Sequence, residues 1–235
     1  MTALWAHPGD VNVQRGGCDV LCRIAAGGTA CAQAVAEAGG VAAAVAALRA
    51  HPGDVEVQRK GCAALYHIAE GGAACAQAVA EAGGAAAAVT ALWAHPGEVD
   101  VQRSGCAVLC RIATDIVQHD GCAALGCIAE GVEACAQAVA EVGGAAAAVA
   151  ALRAHPGDVE VQRIGCEALF RIAEGGAACA QAVADADGAE AAVAALRAHP
   201  SDASVQHNGC EALGCIVEGG AACAQAVAEA GGAAA

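Results

Sequence analysis

One dipeptide sets the frame for everything else in this chain. His-Pro occurs at His7, His51, His95, His155 and His199, and the residues between successive copies repeat with little change. The spacing is 44 residues in three cases, and 60 between His95 and His155. The stretch from His51 to Ala94, HPGDVEVQRKGCAALYHIAEGGAACAQAVAEAGGAAAAVTALWA, serves as the type unit. A recurrence of this length is one supersecondary unit that cannot bury its apolar face alone, so the copies must stack. Length by itself would admit one or two globular domains, but the recurrence predicts a single elongated array over residues 1–235.

The punctuation inside the unit predicts three helices. A short one over 73–82 closes at Gly83-Gly84, and a second over 85–94 stops at His95-Pro96, where the residue before proline leaves the helical region. A third begins at an acidic residue, Glu98 or its equivalents Asp10, Asp54, Asp158 and Asp202, whose carboxylate is expected to cap free amides. It runs to the Glu-Gly at 70–71. On this third helix Val57, Gly61, Leu65, Ile68 and Ala69 fall within about 120° of arc, a core stripe at helical period. The expected class is all-α, a solenoid of three-helix repeats.

The long interval carries a fault in the pattern. VQRSGCAVLCRIA at 101–113 is followed 16 residues later by VQHDGCAALGCIA, so two third-helix sequences adjoin, as if one repeat in the middle were truncated. A 16-residue shift on one helix turns the apolar stripe by about 160°. The sequence therefore predicts a break near Thr114-Asp115, with Asp115-x-x-Gln118 as a capping box, rather than one bent helix over 98–130. The break would divide the array into 1–114 and 115–235. The chain begins inside a second helix and stops at Gly231-Gly232, where another would start, with no polar capping repeat at either end. That predicts either a piece of a longer array or ends open to end-to-end self-association.

Composition narrows the function classes. The chain is 57% hydrophobic but only 2% aromatic, and a core of Ala, Val, Leu and Cys buries little area per residue. A net charge of −14 argues against general attraction to nucleic acid or to an anionic membrane. The apolar runs near Val41 and Ala145 are too short to span a bilayer, and the start MTALWAHPGD has no signal-peptide pattern. Eleven of the 15 cysteines occupy two fixed repeat positions, Cys18, Cys62, Cys106, Cys122, Cys166 and Cys210 in one set and Cys31, Cys75, Cys135, Cys179 and Cys223 in the other. Repeat-locked cysteine among alanines reads as a small buried hydrophobe in a reducing compartment, so an intracellular, cytoplasmic or nuclear, protein without metal or other cofactor is expected.

The unit, its length, the segment AQAVAEAGGAAAAV at Ala76–Val89 and the V-Q-R-x-G-C-x-A-L-x-x-I-A third helix together resemble the armadillo repeat over essentially the whole chain. Two-helix HEAT repeats are the nearest rival, and the Gly-Gly between first and second helices favours armadillo. The resemblance implies a right-handed superhelix whose third helices line a groove for extended peptides. In many peptide-binding members that groove carries an Asn ladder with a Trp one turn earlier. Arg23, His67, Arg111, Cys127, Arg171 and Cys215 stand at the Asn position here, and Asp19, Ala63, Ala107, Ala123, Glu167 and Glu211 at the Trp position, so both ladders are missing.

A different stripe occupies the face opposite the core. Arg59, Ala63 and His67 repeat at i, i+4, i+8, and the equivalents are Arg15-Asp19-Arg23, Arg103-Ala107-Arg111, His119-Ala123-Cys127, Arg163-Glu167-Arg171 and His207-Glu211-Cys215. Seven of the eleven Lys and Arg residues lie on it. Arg15, Arg23, Arg59, His67, Arg103, Arg111, Arg163 and Arg171 are accordingly the candidate groove residues, suited to an acidic or phosphorylated peptide. The competing expectation is a face neutralised by Asp19–Arg23, Glu167–Arg171, Glu56–Lys60 and Arg171–Glu174 pairs. Tyr66 and Phe170 flank the stripe, and Trp5 and Trp93 replace arginine at a second-helix position expected on the outer rim, where an exposed Trp would mark a contact; packing is the expected role of each.

Three serines, one tyrosine and no phosphate loop give no convergent catalytic set. A non-catalytic protein-interaction scaffold, not an enzyme, is the expected function. The alternative is a regulatory or substrate-recruiting repeat module of a larger signalling enzyme such as a kinase or ubiquitin ligase.

Overall fold

In the computed structural model residues 2–114 and 135–232 are described. Five third helices run in order through them: α2 (Val11–Ala25), α5 (Val55–Ala69), α8 (Val99–Ala113), α11 (Val159–Ala173) and α14 (Ala203–Glu218). Each of the later four is preceded by a short first helix and a second helix. These pairs are α3 (Thr29–Glu37) with α4 (Gly40–Ala50), α6 (Ala73–Glu81) with α7 (Gly84–Ala94), α9 (helical over Cys135–Glu141) with α10 (Gly144–Ala154), and α12 (Ala177–Asp185) with α13 (Gly188–Ala198). The tail of a second helix, α1 (Thr2–Ala6), precedes α2, and another first helix, α15 (Ala221–Glu229), follows α14.

Each boundary has a local cause. Gly39, Gly83 and Gly143 sit at φ of 83°, 81° and 80°, the left-handed conformation that turns the first helix into the second. The bend between α6 and α7 is 65°. Asp187 takes the same slot at φ 62°, as the one non-glycine residue with positive φ among those described. At the start of the third helices the Asp54 carboxylate accepts from the Val57 amide at 2.9 Å, and Asp158 from Val161 at 2.9 Å. Asp10 and Asp202 cap likewise. Glu98 does not: its side chain makes no cap hydrogen bond, contrary to the sequence expectation. The extra methylene carries the carboxylate past the amides that a shorter side chain reaches, which is why Glu is a poor N-cap residue.

The helices stack in rows. The third helices pack side by side as α2–α5–α8–α11–α14, and the second helices as α4–α7–α10–α13. The core stripe lies between the rows: Val57, Leu65, Ile68 and Ala69 are fully buried, as are Leu109, Leu169 and Ile172. Close approach is set by glycine. A Cβ on Gly61 would meet Leu48 Cδ2 at 2.6 Å, and one on Gly165 would meet Leu152 Cδ2 at 2.6 Å.

Two hydrogen-bond ladders, neither foreseen from the sequence, bind these rows together. In each repeat the Gln of V-Q, buried in all but the last, donates from Nε2 to two carbonyls at the end of the second helix. Gln58 serves Leu48 and His51 at 2.8 and 2.9 Å, and Gln102 serves Leu92 and His95, both at 2.9 Å. The Leu carbonyl has lost its helical partner at the proline, so the glutamine removes a buried-acceptor penalty there, while the His carbonyl also accepts the cap residue's amide. Between repeats, the His of each His-Pro donates from Nε2 to the preceding Pro carbonyl at 2.8 Å: His51 to Pro8, His95 to Pro52, His155 to Pro96 and His199 to Pro156.

Helix α8 ends at Ala113, and Thr114 is extended at φ −76°, ψ 112°. The capping box expected at Asp115-x-x-Gln118 lies outside the described residues, as does the rest of the duplicated third-helix sequence. On either side of that segment the stack is continuous, α8 on α11 and α7 on α10. No described helix is long and apolar enough to cross a membrane by itself.

Candidate functional site

The cationic stripe forms aligned columns on the row of third helices, because equivalent positions on stacked helices become neighbours. Two contacts between repeats demonstrate the alignment. Arg15 on α2 forms a bidentate pair with Asp54, the cap residue of α5, and Arg103 on α8 lies 3.5 Å from Asp158, the cap residue of α11. Lys60 on α5 also reaches back to Asp19 on α2 at 3.5 Å.

Most of the stripe is already neutralised. Arg23 pairs with Asp19 at 2.9 Å, Arg59 with Glu56 at 2.9 Å, and Arg103 also approaches Asp100 at 3.6 Å. Arg163 bridges Glu160 at 2.7 Å and Glu167 at 3.3 Å. Arg171 meets Glu174 at 3.1 Å and lies over the Phe170 ring, 4.5 Å from its centroid. His67 contacts Glu70 at 2.8 Å, and Tyr66 donates its hydroxyl to the other oxygen of that carboxylate at 3.0 Å. Of the four pairs expected from spacing, Asp19–Arg23, Glu56–Lys60 and Arg171–Glu174 form. Glu167 turns instead to Arg163, one helical turn earlier on its own helix.

These pairs move the carboxylates. The Arg15 guanidinium, with the Val57 amide, lowers Asp54 from 3.8 to about 2, and Arg59 lowers Glu56. Burial raises the Tyr66 phenol to about 12, and the Glu70 charge adds to the effect.

Arg111 is different. Among the described residues it is the one member of the eight predicted stripe residues that no carboxylate pairs. Its Nε is buried without a hydrogen-bond partner, as are the Nε atoms of Arg103 and Arg171. Its charge is near enough to act on the Tyr66 phenol, on the neighbouring α5. Tyr66 and Phe170 are half-buried against the core, as packing residues should be. Trp5 and Trp93 are not: they are 54% and 55% exposed, because the second-helix position they share points off the stack.

The described helices define a class, an α-solenoid of stacked three-helix repeats. Within that class, solved structures identify the fold as armadillo-like. An engineered protein superposes with a TM-score of 0.77 at 29% identity, covering 95% of this chain and 81% of that one. A designed armadillo repeat protein gives 0.75 at 24% identity, with 94% and 83% covered. Another designed armadillo repeat protein, in complex with the peptide (KR)4, gives 0.72 at 23%, with 94% and 80% covered. No protein-family model and no curated protein matches the sequence.

Proposed function

We propose that this chain is a non-catalytic scaffold that takes an extended acidic or phosphorylated peptide across the face of its third helices, with Arg111 as the anchoring cation. The observation that carries this reading is that, among the described residues, Arg111 has no carboxylate partner while the other seven candidate stripe residues do. A half-buried arginine without a carboxylate partner among the described residues favours a carboxylate or phosphate from a ligand, and Tyr66 on the neighbouring helix lies near its charge. The stacking supports an extended ligand, because equivalent side chains on packed helices recur about every 8–10 Å, the reach of two to three residues of strand.

Fluorescence polarisation tests the reading with labelled oligoglutamate, a phosphoserine peptide and (KR)4. The acidic probes should bind and weaken as salt rises, and Arg111→Glu should cost about tenfold or more in affinity. Arg23→Glu, whose parent is exposed and paired with Asp19, should change little. Preference for (KR)4, or unchanged acidic-peptide binding in Arg111→Glu, would overturn it.

A further inference from the structure

Arg111 is open because of what stands one turn to either side of it. Four residues earlier is Ala107, at the position from which Asp19 pairs with Arg23 in α2. Three residues later is Thr114, at the position from which Glu70 meets His67 in α5 at 2.8 Å and Glu174 meets Arg171 in α11 at 3.1 Å. That slot is acidic at Glu70, Glu130, Glu174 and Glu218, and in α2, where Ala26 fills it, Arg23 turns to Asp19. The acids on the helices packed against α8 are already engaged. Glu70 holds Tyr66 and His67, Glu167 holds Arg163, and Glu174 holds Arg171.

Thr114 therefore places a hydroxyl where other repeats place a carboxylate. Helix α8 ends at Ala113, and the Thr114 backbone is extended with its side chain half-buried. Its Oγ1 donates to the Cys110 carbonyl at 2.6 Å, but the Thr114 amide donates to that same carbonyl at 2.7 Å. Turning the hydroxyl outward about χ1 thus leaves no acceptor unmet. Of the seven serines and threonines in the chain, Thr114 alone has an arginine three residues before it.

We infer that Thr114 is a phosphorylation site and that its phosphate pairs with Arg111, closing the site; what is shut out rests on the peptide reading above. In the step, Thr114 Oγ1 attacks the γ-phosphorus of a nucleoside triphosphate held by a protein kinase. The bond from that phosphorus to the β-phosphate oxygen breaks, the hydroxyl proton passes to the kinase's base, and a nucleoside diphosphate leaves. The phosphate brings a charge of about −2 near neutral pH and three acceptor oxygens. The C-terminal end of α8 opposes that charge, and the Arg111 guanidinium one turn back offsets it through charge-assisted hydrogen bonds.

The full chain, folded and treated with an arginine-directed serine/threonine kinase and MgATP, tests the inference in three readings. Peptide mass spectrometry should find phosphate on Thr114, and its absence there overturns the modification. Phosphorus NMR should show the second phosphate pKa, about 6 when free, lower in the wild-type background than in Arg111→Gln, because the guanidinium favours the dianion. Equal values overturn the pairing, whatever the chain binds. In fluorescence polarisation, labelled oligoglutamate should bind the phosphorylated chain and Thr114→Glu about tenfold more weakly than the unmodified chain. Unchanged affinity in both overturns the closing of the site. An unmodified chain that ignores oligoglutamate while the phosphate pKa is still lowered overturns the peptide reading and supports the Thr114–Arg111 pair.

Discussion

The His155 ring donates from Nε2 to the carbonyl oxygen of Pro96 at 2.8 Å across a separation of 59 residues, closing the bond that joins His51 to Pro8 across 43. The junction between α8 and α11 is therefore built like its neighbours despite the longer chain between them. Arg103–Asp158 and Cys135–Gln77 cross it in the pattern seen elsewhere, and all these residues lie outside 115–134. Removing residues 115–130 would bring Thr114 to Gly131 and restore the 44-residue spacing. The expected result is a chain whose thermal unfolding stays cooperative, because the contacts that join α8 to α11 are all retained. Loss of the cooperative transition on circular dichroism would mean the segment supports the stack.

The same residue type at the same repeat position should carry different weight according to what covers it. Ile172 is fully buried and Ile24 is 47% exposed. Ile172→Ala should cost about 2–5 kcal/mol in urea unfolding, and Leu169→Ala a similar amount, because each leaves a cavity in a core that cannot close over it. Ile24→Ala, measured at dilution, should fall within about 0.5 kcal/mol of wild type. Equal costs at Ile172 and Ile24 would contradict the open face of α2.

These examples mark where the sequence is legible. Core leucines, helix limits and the repeat itself are readable because burial follows a strict period and every copy agrees. The Gln ladder left a signal that went unused: V-Q recurs in all five described third helices, and an invariant polar residue beside a core valine asks which buried acceptor it serves. Glu98 was equally open to a closer reading, since one methylene separates a cap from a free carboxylate. The ion pairs were not readable. Glu167 has Arg163 and Arg171 one turn away on either side, and the choice between them rests on rotamers and on Glu174 competing for Arg171. For the same reason, the sequence offered eight equivalent candidates for the site, and only the pattern of ion pairs among the described residues sets Arg111 apart.

Acid should separate the two roles of Asp54. Its folded pKa is lowered to about 2 from 3.8, chiefly by the Arg15 hydrogen bonds. A depressed carboxylate contributes stability that is fully present above its unfolded pKa and is lost as pH falls through the folded value. Asp54→Asn keeps a capping oxygen but loses the charge. It should therefore cost up to about 1 kcal/mol at neutral pH, as expected of a partly exposed pair, and progressively less as the pH falls through the folded value, vanishing only below about pH 2. A pH series of urea midpoints for the two proteins provides the check, and a cost independent of pH would show that the Arg15 pair contributes nothing.

Thiol chemistry should divide the cysteines by depth rather than by sequence. The third-helix residues Cys18, Cys62, Cys106 and Cys166 sit in identical G-C or S-G-C contexts to Cys210, yet burial lifts each of the four to about 12. The thiolate is the reactive species, so at mildly alkaline pH these four hold almost none of it and have no path to reagent. Cys31 and Cys210 are exposed at opposite ends of the stack. A short pulse of N-ethylmaleimide on the native chain, followed by peptide mass spectrometry, should therefore label Cys31 and Cys210 first among the described cysteines, with half-buried Cys22 and Cys215 slower, because burial also raises their pKa. Cys62, Cys106 and Cys166 should stay unmodified until denaturant is added. Early labelling of Cys106, at the centre of the row, would mean that the stack opens between α5 and α8 on the timescale of the pulse, and the rigid ladder of His and Gln contacts described above would have to be abandoned.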